Sequence, residues 1–576
     1  MSAAHRVSIC AICCALALLP APTTAQIAPP SGVTPPTEIR PLPPLLPPAP
    51  LEPPPSPEFR LPPLTPPAGP GRLSGSVRVF VRTFRIVGAT VFPEPELHAL
   101  VAPYEGRRIG NAELEDARRR LTSHYVQRGY LNSGAVIPDQ DVAGGVVTLQ
   151  IVEGRLTDII VTGTKHFSPN FIRERVALPP SQPLNLGPLQ ERLQTLLLNP
   201  LLERINAELA PGERPGEAVL KLDVREAPPY EAGYAFSNGR SPAVGASQHE
   251  LWLGARNLFG RGFGLQVRTA QTEGLGDYSL LFGGPVNASD TRFLLRLDKT
   301  RSVLVESPLQ SLDIASRSSG VELGLSHPLV RTPQRELLLG AAWYRRDNAT
   351  FFLGEPFGFT PGLPEGRSTL KALRLTGDFL DRSESQVFAA RLTFRLGLGG
   401  QGATVNPGFP DSVFVARLLQ LQWARRLSEA GNQVLVRFDL QDANGTLLPS
   451  EKFAVGGMQS VRGYRENLLV KDRGWTGSIE YRHPIERWFA GAGGAPPEIG
   501  RLQLAAFMDA GRGADEQDTS TGPRRLRSAG LGVLWDPVPG AQFQVYLARP
   551  HTKVTLSHRA LEDRGVHFRF AFQQLF

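Results

Sequence analysis

The stretch Gly456-Gly457-Met458-Gln459-Ser460-Val461-Arg462-Gly463-Tyr464 occupies the longest interruption between the strand-like segments of the C-terminal half. Its last four residues place a glycine directly after an arginine and an aromatic residue directly after the glycine. The glycine allows a sharp backbone turn, while the arginine side chain can reach a distant carboxylate. Taken alone, these four residues fit an exposed loop as well as a buried one. Their role therefore depends on the surrounding chain.

The chain around this stretch alternates apolar and polar residues from about Tyr230 onward. In Phe388 to Leu396 the even-numbered residues are apolar, whereas Arg391 and Arg395 lie on the other face. A membrane barrel with a water-filled lumen needs one apolar and one polar face on every strand. A soluble sandwich shows the same alternation in any single strand, so the number of strands and the predicted export signal favour the barrel.

The alternating pattern predicts a transmembrane β-barrel of 16 antiparallel strands over residues 229–576, and an even number is typical of bacterial barrels. The predicted strands begin near residues 230, 248, 262, 277, 291, 315, 335, 368, 385, 412, 431, 474, 501, 526, 540 and 565. Short connections alternate with long ones, as periplasmic turns and outer loops should, although the connection at 485–500 is longer than this rule predicts. The opening stretch belongs to the long loop 443–473. Sixteen strands enclose a water-filled channel unless it is filled, so the fold of this long loop matters to the lumen.

Residues 1–25 have the pattern of a secretory signal peptide. Arg6 precedes an apolar run, and small residues end at Ala25, so the mature chain is expected to begin near Gln26. All 3 cysteines lie in this segment, which excludes disulfides, a thiol nucleophile and a cysteine metal site from the mature chain. No later stretch has the roughly 18 consecutive apolar residues of a membrane-spanning helix. An exported chain of this kind is either a soluble protein outside the cytoplasm or a membrane barrel.

Residues 26–76 form an arm in which pairs and triplets of proline recur. Because proline lacks an amide donor and fixes φ, we expect the arm to be extended or disordered, with no helix or sheet running through it. A passive spacer is favoured over a ligand for a proline-binding partner. The net charge of +8 does not come from one basic run, and no nucleic-acid partner is expected for an exported chain.

Between the arm and the barrel, residues 77–155 and 156–228 repeat one small α/β module. Each copy opens with an apolar strand that meets a glycine, Gly88 or Gly163, and a phenylalanine follows four residues later. Each copy closes with an alternating strand that ends in Glu153 or Glu226. Two helical patterns lie between opening and closing, so the predicted order in each copy is β-α-α-β-β.

Two such modules before an exported barrel resemble POTRA domains, the periplasmic modules that precede some outer-membrane barrels. The first copy carries motifs similar to those of the first POTRA domain of two-partner secretion transporters. The matching residues are Tyr125, Gly129, Tyr130, Gln140, Asp141, Glu153 and Gly154. For Gln140 and Glu153, hydrogen bonds within turns and caps are favoured over direct contact with a cargo.

The motif Val461-Arg462-Gly463-Tyr464 resembles the signature of the barrel superfamily that carries POTRA domains. In that superfamily the loop folds into the barrel, and its arginine meets an aspartate on the inner wall of strand thirteen.

The matching positions on strand thirteen are Phe507 and Asp509, which share the face predicted to point inward. The residues expected to face lipid on the same strand are Leu504, Ala506 and Met508. We therefore expect an ion pair between Arg462 and Asp509, because a buried arginine without a carboxylate would be destabilising by on the order of several kcal/mol. The aromatic final strand, which ends at Phe576, resembles the signal by which outer-membrane barrels are recognised for insertion.

From about residue 77 onward the chain resembles the TpsB family of two-partner secretion outer-membrane transporters, of the haemolysin activator and filamentous haemagglutinin transporter type. The resemblance implies an outer-membrane barrel with its POTRA domains in the periplasm. It would bind one large unfolded exoprotein, an adhesin or a haemolysin, through the N-terminal secretion domain of that exoprotein. Translocation through the barrel would need no nucleotide hydrolysis. Outer-membrane lipid and the barrel assembly machinery are its other implied partners.

Three alternatives were weighed against secretion. The first is an outer-membrane assembly factor that inserts other barrels, although relatives of that kind usually carry more POTRA modules. A passive porin would explain neither the repeated module nor the loop motif. An enzyme is disfavoured because the histidines are scattered and neither HExxH nor GxSxG occurs. We expect no catalytic residue, no cofactor and no metal site. Many relatives carry an N-terminal helix in the lumen, whereas residues 26–76 are too rich in proline to form one.

Overall fold

The computed structural model describes residues 58–60, 78–179, 181–363, 365–400, 402–406, 408–489, 499–516, 522–554 and 560–576. The predicted signal peptide and most of the predicted proline-rich arm lie outside these residues. None of the helices in the described part of the chain is long and apolar enough to cross a bilayer.

The first module is a small sheet covered by two helices. In chain order it contains β2 (Val79–Val81), β3 (Thr83–Val87), α1 (Glu94–Val101), β4 (Arg107–Ile109), α2 (Asn111–Gln127), β5 (Gly134–Val136) and β6 (Val146–Val152). Strand β6 lies between β3, which is parallel to it, and β5, which is antiparallel. Helix α2 buries Ala117, Leu121 and Tyr125, which recur every four residues and so share one face. The predicted order is present, with the short pair β2–β4 added.

The second module repeats this plan. It contains β7 (Arg155–Thr162), α3 (Pro169–Val176), α4 (Leu186–Leu197), β8 (Leu202–Pro211) and β9 (Glu217–Glu226). Strand β9 lies in the centre, antiparallel to β8 and parallel to β7. The predicted leucine stripe of Leu189, Leu193 and Leu197 on α4 is buried against this sheet. The two modules therefore share the order β-α-α-β-β.

The expectation that no sheet runs through the proline-rich arm is wrong for β1 (Glu58–Arg60). This strand adds to the free edge of β8 in parallel, with Glu58 opposite Asn206 and Arg60 opposite Glu208. Four consecutive residues between Pro57 and Pro62 keep their backbone amides, and the three of β1 are among them, so they can pair. The edge of β8 thus accepts an extended segment.

The C-terminal part is a closed antiparallel barrel in which β28 pairs with β10. Its first strands are β10 (Tyr230–Ser237), β11 (Gln248–Leu258), β12 (Phe263–Gln271), β13 (Leu275–Pro285), β14 (Arg292–Val303), β15 (Ala315–Arg331), β16 (Arg335–Phe352), β17 (Glu355–Pro356), β18 (Arg367–Arg382), β19 (Gln386–Gly397), β20 (Val415–Arg426) and β21 (Gln433–Ala443). The loop that follows contains a separate pair of short strands, β22 (Phe453–Val455) and β23 (Leu469–Lys471). The barrel then continues with β24 (Arg473–Pro484), β25 (Arg501–Ala514), β26 (Arg525–Asp536), β27 (Ala541–Pro550) and β28 (Val566–Leu575). The two-residue β17 only extends the β16 hairpin, so 16 strands span the wall, as predicted. Each begins within three residues of its predicted start.

The second module docks on the short turns of the barrel. The guanidinium of Arg175 on α3 donates to Asp290 from Nη2 at 2.7 Å and to the carbonyl of Asn287 at 2.9 Å. It also lies 3.6 Å from the ring centre of Phe171. The amide of Ser168 donates to the carbonyl of Gly260 at 2.9 Å. The modules therefore lie at the end of the barrel that carries the short turns, and the long loops lie at the opposite end.

Candidate functional site

The loop between β21 and β24 returns into the barrel and places the predicted motif against the inner wall. Its two arms pair as the short ribbon β22–β23, and the motif lies between them. Val461 and Tyr464 are fully buried. A side chain at Gly511 on β25 would come within 3.0 Å of Val461, so the absence of one makes room for the loop.

Arg462 makes the predicted ion pair with Asp509 and contacts three further wall residues. Its Nε donates to Asp509 Oδ2 at 2.8 Å and its Nη2 to Asp509 Oδ1 at 2.8 Å. Nη2 also donates to Ser478 Oγ at 3.0 Å, and Nη1 pairs with Glu480. The guanidinium carbon lies 3.5 Å from the ring centre of Phe507. The two-pronged geometry with Asp509 needs arginine, because lysine has no planar fork.

Gly463 is needed both for its backbone conformation and for its lack of a side chain. Its φ is +89°, and a Cβ there would lie 2.9 Å from the Cβ of Ala548. Its amide donates to Nε2 of His567 at 2.8 Å, so this ring nitrogen is the acceptor. Tyr464 donates its hydroxyl to the carbonyl of Arg527 at 2.7 Å. Every residue of the motif therefore contacts the wall or the neighbouring strands.

A second arginine of the same loop, Arg465, is also part of the site, although it was not among the predicted site residues. Arg465 donates from Nη2 to Asp563 at 2.8 Å and from Nη1 to Glu306 at 3.0 Å. Asp563 and Glu306 belong to two other loops, so Arg465 joins three connections at the end of the barrel that carries the long loops. A second arginine immediately after the motif was the available signal. Ser478 and Glu480 were missed as well, although the alternation places both on the inward face of β24.

Three of the POTRA motif residues, Tyr125, Tyr130 and Glu153, pack or hydrogen-bond together within the first module. The carboxylate of Glu153 accepts the amides of Thr90 at 2.7 Å and Val91 at 2.9 Å, and the buried hydroxyl of Tyr125 donates to it at 2.9 Å. Burial by itself would raise the pKa of Glu153, but these hydrogen bonds outweigh it and hold the pKa below its usual range. Tyr130 packs edge-on against Tyr125, with ring centres 6.0 Å apart.

Glu226 repeats the role of Glu153 in the second module, which the sequence reasoning did not single out. Its carboxylate accepts the amides of Lys165 at 3.0 Å, His166 at 2.8 Å and Phe167 at 2.9 Å. The closing glutamate of each copy thus caps the turn after the opening glycine. Its position at the end of both closing strands was the signal.

Gly129 and Gly154 lie where the two modules meet. The carbonyl of Gly129 accepts the amide of Leu186 at 3.0 Å, and the carbonyl of Gly154 accepts the amide of Leu184 at 2.7 Å. A Cβ on Gly129 would lie 2.9 Å from the side chain of Asn185 in the second module, so glycine there permits the modules to approach closely. A Cβ on Gly154 would lie 2.1 Å from the side chain of Asn132 in its own module, so glycine there makes room for Asn132.

The remaining predicted residues have separate environments. Gln140 donates to the carbonyl of Thr148 at 2.8 Å and accepts its amide at 2.7 Å, so it fastens its loop to β6. Asp141 is exposed. Phe576 exchanges backbone hydrogen bonds of 3.0 and 3.1 Å with Tyr230, beside the junction of β28 with β10. In the described part of the chain, no group of three His, Cys, Asp or Glu side chains could hold a metal ion.

Comparison with known proteins gives two family matches. A model described as "POTRA domain, ShlB-type" matches residues 79–154, and one described as "Haemolysin secretion/activation protein ShlB/FhaC/HecB" matches residues 216–534. The outer membrane transporter CdiB of Dickeya dadantii is 22% identical over 469 residues, 79% of each chain. The heme/hemopexin transporter protein HuxB of Haemophilus influenzae is 20% identical over 484 residues, 79% of this chain and 80% of its own.

The fold of a solved relative agrees with this result. The structure of CdiB from Escherichia coli superposes on this chain with a TM-score of 0.62 at 20% sequence identity. The superposition covers 91% of this chain and 94% of the CdiB chain. Two α/β modules on a closed barrel with an inward loop define an outer-membrane protein of the POTRA-plus-barrel class. Since the second family model spans more than half of the 576 residues, the chain belongs to the ShlB/FhaC/HecB family of haemolysin secretion/activation proteins. It is an outer-membrane transporter of the TpsB type.

Replacement of Arg462 by alanine should weaken the attachment of the loop without preventing insertion of the barrel. Asp509 would stay buried without its cation, and such a loss costs about 3–5 kcal/mol. Arg462→Lys should not restore the loss, since one ammonium cannot make the paired contacts. The temperature at which the folded barrel loses its compact electrophoretic form measures the effect, and secretion should fall in parallel. Arg425→Ala, an exposed position on β20, is the control; unchanged heat stability and secretion in Arg462→Ala would refute the role of the pair.

Replacement of Glu153 by alanine should loosen the turn at Thr90 and Val91. Hydrogen bonds to a charged acceptor contribute roughly 1.5–3 kcal/mol each, so amide protection of this turn at neutral pH should fall markedly. Because the folded pKa of Glu153 is depressed, its stabilisation is present above its unfolded pKa, about 4.5, and is lost as the pH falls through the folded pKa. Hydrogen exchange corrected for intrinsic rates, between pH 7 and pH 3, measures both effects. Asp141→Ala should change neither, and equal protection in the two variants would contradict this assignment.

Proposed function

We propose that the protein binds one large unfolded exoprotein through its POTRA modules and passes it through the barrel to the cell surface. The observation that carries this proposal is a cavity of about 1370 Å³ that is shared by the second module and the barrel. Glu191, Arg192 and Thr195 of α4 border it on one side, and inward-facing residues of β12 to β20 border it on the other. A chain that leaves the second module would enter the lumen without crossing lipid.

The wall of this cavity suits an extended, hydrated polypeptide. Among the described residues that line it, eleven arginines face six carboxylates, an excess of five positive charges. Arg374 pairs with Glu322 at 2.7 Å and Arg391 with Asp378 at 2.5 Å, so part of this charge is neutralised on the wall. The charged groups of this surface offer hydrogen bonds to a passing chain that water can replace.

The space narrows toward the long loops. Arg346 and Asp298 also line a second cavity of only about 70 Å³, which is bordered by Leu363 and Ser450 of those loops. This arrangement supports a resting state that is open toward the modules and closed at the outer end. We infer that the cargo displaces the loop held by Arg462 and Arg465.

We propose that cargo recognition uses the edge of β8. An open edge offers unpaired amides and carbonyls to an extended segment, and β1 already pairs there with Asn206 to Glu208. A strand of the exoprotein would replace β1 in the same register. The sequence holds no phosphate-binding glycine-rich loop, and folding of the exoprotein outside the cell would supply the driving force.

Deletion of the gene should remove one large polypeptide from the medium or the cell surface while leaving the overall content of outer-membrane barrels unchanged. Mass spectrometry of secreted and outer-membrane fractions measures both quantities, and re-expression of the intact chain should restore secretion. A general fall in barrel content with unchanged secretion would favour an assembly factor instead.

A cysteine introduced at Glu208 should cross-link to the N-terminal domain of the exoprotein identified by that deletion. The predicted mature chain has no cysteine of its own, so the added thiol reports on one position. The control is Ile160→Cys, an exposed position on β7 at the opposite edge of the same sheet. Secretion is arrested in both variants, and the yield of the cross-linked product is compared between the Glu208→Cys and Ile160→Cys variants. Equal yields at the two edges would exclude β8 as the preferred binding edge.

A further inference from the structure

The lipid-facing side of the barrel becomes cationic at the end that carries the long loops. Strand β14 runs from the short-turn end toward the long loops, and Phe293, Leu295 and Leu297 point outward along it. The next two outward positions are Lys299 and Arg301, and both are exposed.

The same change from apolar to basic occurs toward the long-loop end of the neighbouring strands. On β15 the outward face carries Arg317 beyond Leu323, and on β16 it carries Arg345 beyond Trp343. On β18 Lys371 precedes the outward Leu375. Further outward cations at this end are Arg417, Arg473, Arg512, Arg525, Arg527 and Arg549.

The short-turn end of the lipid-facing side is different. Its outward positions are largely aromatic: Phe293, Phe379, Phe388, Trp423, Tyr481, Trp535 and Phe543. Two outward cations also occur on the described strands at this end, Arg335, which pairs with Asp381 at 2.8 Å, and Arg425. Aromatic girdles are expected at both interfaces of an outer-membrane barrel. The basic belt at the loop end is therefore an additional feature of one interface.

The register brings like charges together within this belt. Arg301 lies directly opposite Arg317, Arg345 opposite Lys371, and Arg512 opposite Arg525. Like charges directly opposite each other on adjacent strands are destabilising. Within the part of the chain that the structure describes, Lys299, Arg301 and Arg317 make no ion pair, whereas Arg345 pairs with Asp347 at 2.9 Å. An anion bound between the first three would remove the repulsion.

A groove on the outer surface lies beside these residues. It has a volume of about 790 Å³ and is bordered by Tyr278, Lys299 and Arg301, with Glu273 at its rim. Tyr278 lies opposite Lys299. Gly276, which has no side chain, lies opposite Arg301, and the ring of Tyr278 lies next to Gly276. Leu297 and Leu323 continue the surface toward the middle of the barrel, and both are more than two-fifths exposed (41% and 43%).

We propose that Lys299, Arg301 and Arg317, together with Tyr278, form an outer cationic patch that binds the phosphates of a phosphorylated glycolipid in the outer leaflet. The apolar residues below the patch would contact the acyl chains, which places the headgroup phosphates at the height of the three cations. Guanidinium groups suit this ligand because they donate several hydrogen bonds to phosphate oxygens. The inference rests on the proposed orientation, with the modules in the periplasm and the long loops outside.

The test measures binding of fluorescent bis-phosphorylated lipid A to the full-length protein in neutral detergent, by thermophoresis. The wild type should bind it saturably and bind fully dephosphorylated lipid A at least about tenfold more weakly. The triple variant Lys299→Gln/Arg301→Gln/Arg317→Gln should lose roughly tenfold or more in affinity, since each basic residue near an anionic lipid surface contributes substantially. This binding assay in detergent requires neither a particular orientation of the protein in a membrane nor secretion of an exoprotein. Its outcome is therefore independent of the deletion test for function.

The matched control removes three exposed cations elsewhere, in Arg204→Gln/Arg261→Gln/Arg425→Gln, and should bind like the wild type. Compact electrophoretic migration verifies folding, and Arg301→Gln/Arg317→Gln replaces the triple variant if that variant does not fold. Equal binding of phosphorylated and dephosphorylated lipid, or full binding by the patch variant, would overturn the proposal. Inorganic phosphate at millimolar concentration should not compete; effective competition would mean a site for the free ion rather than for a lipid headgroup.

Discussion

The contact between Arg462 and Asp509 determines how the barrel is filled. A guanidinium buried inside the wall is tolerated only because Asp509 accepts from it at two oxygens and Glu480 supplies a second carboxylate. Gly463 follows with a positive φ that turns the backbone, and Tyr464 reaches the neighbouring strands. The loop between β21 and β24 consequently lies against one side of the lumen, while the opposite side, from β12 to β20, borders the open cavity.

In each of the two modules, the backbone amides of the turn after the opening strand need hydrogen-bond acceptors. Glu153 and Glu226 accept the free amides of that turn, which would otherwise be unpaired. In the second module, the outer edge of β8 is paired with the three residues of β1. Helix α3 docks on the barrel through Arg175. Docking places α4 at the mouth of the lumen, and the path from the modules to the wall is thereby continuous.

Basic residues serve different purposes on the two faces of the wall. Inside, Arg374 on β18 pairs with Glu322 on β15, across β16, and Arg391 pairs with Asp378 on the adjacent strand. Both arginines border the cavity. Outside, Lys299 and Arg301 lie above an apolar band at one end only. The difference follows from the surroundings, because lipid tails cannot solvate a charge, whereas the headgroup region and the lumen can.

The sequence by itself determined the sixteen strands and the order of elements in both modules, because these rest on periodicity and on local signals. The pairing of Arg462 with Asp509 was predicted from the resemblance of two separate motifs to those of a known barrel superfamily. A period of two fixes which face a residue occupies, and a glycine after an arginine fixes a turn. The tertiary structure alone decided the partners of Arg465, the pairing of Glu58–Arg60 with β8 and the opposition of Arg301 to Arg317. These contacts join positions far apart in the chain, and they depend on the register between strands and on the paths of loops. Closure of the barrel sets the register between strands, and the pattern of residues within a single strand does not predict that register.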